Sequence, residues 1–145
     1  MGEMKLFATE LIDLDLQATD KSAAIRSLAE RAVAAGRGSD AALIAADVLE
    51  RDELGTPQFD GVAIPHARTA GVSVPTVLIA RSSTGIVFDP EEPAADVVLM
   101  ILVPEDAADQ HLEILSRLAR RLMYPEFTTA LRNASASELI AVLEN

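Results

Sequence analysis

Only two histidines occur in the 145 residues, and one of them, His66, directly follows a proline at the end of the run Gly61-Val62-Ala63-Ile64-Pro65. Proline locks its own φ, offers no N–H and drives the residue before it into an extended conformation. The His66 ring is therefore expected on a stiff, extended segment, reachable by another molecule, with Gly61 permitting a sharp turn where the segment begins. An imidazole near neutral pH is substantially deprotonated, so one ring nitrogen can act as a nucleophile while an acceptor on the other fixes the tautomer. Arg68 lies two residues on. On an extended segment it shares a face with His66, so its guanidinium can reach oxygens held at the same ring; alternatively it is a surface charge meeting an acidic patch. Asp60 can orient a ring N–H of either histidine, or it opens a turn before Gly61. His111 precedes Leu115 by one helical turn, near a helix N-terminus whose dipole favours an anion. A boundary histidine with its N–H on a carbonyl is the plainer reading of that position.

Other constellations fail. The chain has no cysteine, which removes disulfides, thiolate metal sites and a cysteine nucleophile. There is no His-Glu-x-x-His pattern or close histidine pair for a divalent metal, and no Gly-x-x-x-x-Gly-Lys-Ser/Thr loop for direct use of ATP. Ser82-Ser83 and Ser135 and Ser137 lack a histidine base nearby in sequence and read as turn and cap residues.

The run GVAIPHAR at 61–68 resembles the active-site stretch of the enzyme IIA component of the bacterial sugar phosphotransferase system, fructose/mannitol class. The stretch LMILVPEDAADQHLEILSRLARRL is similar to that family's strand, proline turn and helix bearing a second histidine. The resemblance implies that His66 accepts a phosphoryl group on Nε2 from the carrier protein HPr and passes it to a cysteine of a IIB partner. It implies that His111 stands beside His66 as a donor to the phosphoryl oxygens, with Arg68 in support. Arg51 matches an arginine that the family places upstream of the motif at the close of a helix; a favourable interaction with its own helix dipole explains it equally well. No cofactor and no metal enter this reading. Because the chain lacks cysteine, the IIB unit is expected on a separate polypeptide, joined through IIB to a membrane IIC component, with fructose as the favoured sugar class. The alternative is a IIA-like regulatory protein that signals by docking or by its phosphorylation state. One departure bears on recognition: where the family shows Thr-Gly-x-x-x-Gly, this chain has Thr56-Pro57-Gln58-Phe59-Asp60-Gly61. Pro57 and Phe59 do not adopt positive φ cheaply, so this loop is expected to differ in shape.

Composition narrows the partners. Twelve basic against 23 acidic residues give a net charge of -11, which repels a nucleic-acid backbone and favours a basic protein partner. Aromatic residues at 3% offer no stacking surface for single-stranded nucleic acid. The longest apolar run, Val97 to Val103, is too short to cross a bilayer. The start, Met1 to Leu6, has neither a signal-peptide core nor the Ser or Thr needed for myristoylation, so a cytoplasmic location is expected.

Around these residues the pattern predicts a single α/β domain over 1–145, a small mixed β-sheet with helices packed on both faces. Ile12, Leu14 and Leu16 alternate as in a half-buried strand. A helix capped by Thr19 or Asp20 carries the stripe Ala24, Ile25, Leu28, Ala29, Ala32 and Val33, and Gly36 and Gly38 end it. A second helix starts at Ser39 with Ala42, Leu43, Ala46 and Leu49 inward, closed by Gly55 and Pro57. Short strands are expected at Val62 to Ile64, Thr76 to Arg81 and Ile86 to Phe88. Val97 to Val103, apolar on both alternating faces, reads as the central strand. A long helix from about Ala107 to Met123 buries Leu112, Leu115, Leu118, Ala119 and Leu122 and turns Arg117, Arg120 and Arg121 away. Pro125 suits the first turn of a short helix, and Ser135 with Glu138 forms a capping box for a last one.

Overall fold

Nine consecutive residues from Ala95 to Val103 form the central strand, and all but Asp96 are buried. Such a run has no solvent face, so both sides of it must be covered. The computed structural model describes residues 6–144, with the side chains of residues 108 and 110–112 outside that description. In chain order the elements are a 3-10 turn at Thr9–Leu11, β1 at Ile12–Asp13, α1 at Lys21–Ala34 and α2 at Ala41–Asp52. There follow β2 at Gln58–Phe59, β3 at Val62–Ala63, β4 at His66–Arg68, β5 at Thr76–Ile86 and β6 at Ala95–Val103. Three helices complete the chain: α3 at Ala108–Arg121, α4 at Pro125–Asn133 and α5 at Ala136–Glu144.

The six strands make one mixed sheet in the order β1-β5-β6-β3-β2, with β4 also on β6. β5 pairs antiparallel with β6, whereas β3 and β4 run parallel to it, one after the other along the same edge. Period-two alternation sorts the side chains into two cores. Ala63, Ala67, Leu78, Val98, Met100 and Leu102 pack against α1 and α2. Val62, Ile64, Val77, Leu99 and Ile101 face α3, α4 and α5. The expected α/β architecture with helices on both faces is what forms.

The helix starts follow local chemistry. Asp20 caps α1 by accepting from the Ala23 N–H at 2.8 Å, and Asp40 caps α2 through Leu43 at 3.0 Å. Ser135 and Glu138 exchange two bonds of 3.2 Å, the capping box at the entrance to α5.

Several expectations are corrected. The strand at Ile12 stops after Asp13, and Leu14 is exposed; the chain touches β5 again where the buried Leu16 donates its N–H to the Arg81 carbonyl at 2.8 Å. The inward face of α2 is Ile44, Ala45 and Val48, with Ala42, Leu43 and Ala46 outside. Two stripes one residue apart were both available in this sequence, and the one carrying the β-branched residues packs inward. Ile86 to Phe88 is not a separate strand; β5 runs on to Ile86 across an irregularity after Arg81. Leu118 on α3 and Leu122 just after it are buried, but Ala119 is exposed. Arg121 does not turn away. Its guanidinium sits 4.8 Å from the Phe127 ring centre and donates to the carbonyls of Val142 at 2.6 Å and Leu143 at 3.3 Å. Leu112 and the segment 1–5 fall outside the described side chains and residues.

Candidate functional site

His66 opens β4, in register with Ile101, two residues before β6 ends. Alternation places its ring on the same face as Ile64 and Ile101, the face that α3 covers. The extended segment expected from Pro65 is thus a strand of the sheet. That pairing has a cost in access: Ile64, Pro65 and Ala67 are all buried around it, and His66 itself exposes only 4% of its surface. The imidazole expected to be open is therefore largely enclosed.

The ring is held from within its own segment. Nδ1 lies 3.0 Å from the Ile64 carbonyl oxygen, two residues back. A carbonyl only accepts, so Nδ1 carries the proton and the lone pair of the neutral ring sits on Nε2. Burial is the main influence on the ring's acidity, disfavouring the imidazolium and lowering its pKa from the ordinary 6.5. The Ile64 carbonyl works against this by favouring the protonated ring, and the positive charge of Arg51 adds to the lowering. The balance keeps His66 neutral at physiological pH, the state a nucleophile requires.

That electrostatic coupling brings Arg51 to the site. Arg51 lies in the last turn of α2, a helix that packs against β4, and its Nη1 donates to the Gly55 carbonyl at 3.0 Å. The Pro57 carbonyl then accepts from the Ile64 N–H at 2.8 Å, so the loop after α2 backs directly onto the His66 segment.

Arg68 lies in register with Val103 at the end of β6, on the His66 face and exposed. His111 occupies the first turn of α3, in the helix that begins five residues after β6 ends; its side chain lies outside the described residues. The backbone therefore carries the first turn of α3 back to the sheet end where His66 sits.

Asp60 does not join this group. It is one of two turn residues, with φ 49°, followed by Gly61 at φ 79°, in a tight hairpin between β2 and β3. Both central positions at positive φ fit an Asp-Gly turn, and so Pro57 and Phe59 avoid that region. Asp60 pairs with Arg132 at 3.8 Å, its carbonyl also accepts from Arg132, and Gly61 holds Asp96 at the opposite end of β6. The role of orienting His66 Nδ1 belongs to Ile64 instead. A backbone acceptor has no residue-type signature, so nothing in the sequence marked it, whereas an aspartate drew attention to itself.

A second fixed point holds the loop 69–73 that follows β4. Ser39 N–H donates to the Gly71 carbonyl at 3.0 Å, and a side chain at Gly38 would put its Cβ 2.2 Å from that same oxygen.

The sequence profile of the family described as phosphoenolpyruvate-dependent sugar phosphotransferase system, EIIA 2, matches residues 5–145. The PTS system fructose-specific EIIA component of Haloferax volcanii is 41% identical over 133 residues, which cover 90% of this chain and 86% of that one. The PTS system fructose-specific EIIABC component of Bacillus subtilis is 31% identical over 143 residues; the match covers 97% of this chain but 22% of that longer protein. Among solved structures, the nitrogen regulatory protein IIA-Ntr from Neisseria meningitidis superposes with a TM-score of 0.84 at 28% identity, covering 95% of this chain and 96% of that one. The chain belongs to the EIIA 2 family of the phosphoenolpyruvate-dependent sugar phosphotransferase system.

Proposed function

We propose that this chain is a phosphoryl carrier that works through His66. Nε2 attacks the phosphorus of phospho-HPr, the N–P bond to HPr breaks, and a new N–P bond forms on His66 while Nδ1 keeps its proton against Ile64. The phosphoryl group then moves to a cysteine thiolate of a separate IIB component, restoring the neutral ring. The observation that carries this reading is the tautomer: a fixed Nδ1–H, in a ring kept neutral by burial and by Arg51, directs the nucleophilic lone pair to Nε2.

Arg51 and Arg68, with His111 from the first turn of α3, would then balance the charge of the transferring oxygens. The near-complete enclosure of His66 suits a carrier, since excluding water protects an N–P bond from hydrolysis; it also requires the donor to seat closely against the ends of β4 and β6. The two fructose-specific relatives support a fructose-type system, and the joined EIIABC relative supports IIB and IIC as downstream partners. The reaction would take place in the cytoplasm, at a membrane system this chain does not itself enter; among the described residues no helix is long and apolar enough to cross a bilayer. The likeness to IIA-Ntr favours a second reading, in which phosphorylation of the same histidine reports rather than transports.

Incubation with phosphoenolpyruvate, enzyme I and HPr should add one phosphoryl group by intact mass, labile to acid. His66→Gln should abolish the gain. Phosphate uptake by the Gln variant, or none by the wild type, refutes the assignment.

A further inference from the structure

Behind Arg51 lies a cluster that the phosphoryl chemistry does not itself use. Asp52, the last residue of α2, is nine-tenths buried at its side chain, which shows 9% of its surface. Its Oδ2 meets Lys21 Nζ at 2.6 Å, and its Oδ1 accepts from Thr56 Oγ1 at 2.5 Å. Lys21 is the first residue of α1 and also reaches the Phe88 carbonyl at 3.5 Å. A carboxylate at a helix C-terminus is poorly placed with respect to the helix dipole, which favours cations there. Its burial at that position therefore needs another reason, and Lys21 and Thr56 supply the partners.

The cluster spans the loop that backs the active strand. At the first end is Arg51, adjacent to Asp52 and bonded to Gly55. At the other end, Thr56 is followed by Pro57, whose carbonyl holds the Ile64 N–H; the Ile64 carbonyl in turn holds His66 Nδ1. The positive charge near the ring is thus anchored on the stretch that Asp52 ties down, while the Ile64 carbonyl stays with its own strand segment. Gly55, with φ 100° and open space where a side chain would stand, gives that loop no packing of its own, and Leu54 beside it is 82% exposed. Side-chain ties must then do what packing does elsewhere.

We propose that Asp52, clamped between Lys21 and Thr56, is a positioning residue that fixes the loop 53–57 and thereby sets Arg51 against His66. The inference rests on the carrier reading only for its effect on turnover; the geometry it describes exists without it.

Asp52→Asn keeps the size and the acceptor for Thr56 while removing the charge that Lys21 neutralises. Lys21→Met, at a half-exposed position, removes the other side. Each should slow single-turnover transfer from phospho-HPr by about tenfold, and the double variant should be no slower than either alone, since one contact is lost in every case. In parallel, histidine NMR titration should move the His66 midpoint up toward the ordinary value as Arg51 is released. Circular dichroism and melting temperature show whether each variant is folded. Transfer within twofold of wild type, or a slower rate with an unmoved midpoint, overturns the proposal. If the wild type takes no phosphate, the carrier reading fails, and the midpoint alone decides: unmoved in both variants, it refutes the positioning role as well.

Discussion

The tautomer of His66 is set by a contact of 3.0 Å to a carbonyl two residues back in its own chain. Because that carbonyl accepts and never donates, proton and lone pair are assigned to opposite nitrogens before any partner arrives. A ring whose pKa falls on burial binds fewer protons folded than unfolded. Stability is therefore indifferent to this group above its unfolded value of 6.5 and decreases as the pH drops through that value. The same sign governs reactivity: phosphoryl acceptance should be level from about pH 7 upward and decline only in acid, below the midpoint of a free histidine. Long-range proton–nitrogen NMR should show Nδ1 protonated throughout the neutral range, with a midpoint under 6.5. A midpoint above 6.5, or a proton on Nε2, would mean that the ring is not held as described.

Elements rather than single residues decide where this ring points. β3 and β4 divide one edge of β6 between them, and the break at Ile64-Pro65 lets His66 restart the ladder on the face that α3 covers. On that face, α4 is held to the sheet by Arg81, which donates to the carbonyls of Leu131 at 2.6 Å, Ala130 at 3.1 Å and Ala134 at 2.5 Å. Leu131 and Ala134 lie at the C-terminal end of α4, where carbonyls lack helical partners, while the Ala130 carbonyl also accepts from the Ala134 N–H at 2.9 Å. Arg81→Met should lower unfolding free energy by about 2–4 kcal/mol in urea titration, since several hydrogen bonds to a charged donor are lost at once. A loss below about 0.5 kcal/mol would show that solvent replaces them freely. Helices with strong caps and wide stripes were legible in the sequence: Asp20 and the stripe from Ala24 to Ala32, Pro125, Ser135 with Glu138. The strand at Val62 was expected, but β2 and the pairing of β4 with β6 were not, because runs of two or three residues carry no period and only their neighbours make them strands. Of α2 the existence was legible and the face was not, as two apolar stripes differing by 100° compete until α1 and β4 are there to choose.

At the scale of the whole molecule, two cores on a buried central strand make a frame, and the proposed site lies at one end of it. His66, Arg51 and Arg68 come from β4 and the end of α2, and α3 brings its first turn to the same end. The opposite end, where Arg132 binds Asp96 through two bonds of 2.7 and 3.1 Å, closes the sheet and has no part in it. Of the candidate residues, those around the GVAIPHAR motif were legible because proline and histidine are distinctive. The bracing behind them was not, since Lys21, Asp52 and Thr56 meet only after α1 and α2 pack. A net charge of -11 gives this surface a field that attracts a basic donor and repels an acidic one. The decisive measurement is a chase. The chain is phosphorylated by phospho-HPr, separated from its donor, and mixed with a fructose-type IIB protein while intact masses of both are followed. Transfer of the phosphoryl group from His66 to the IIB cysteine within the mixing time is the expected result. Phosphate that stays on this chain in the presence of IIB, or that never resided on His66, would contradict it.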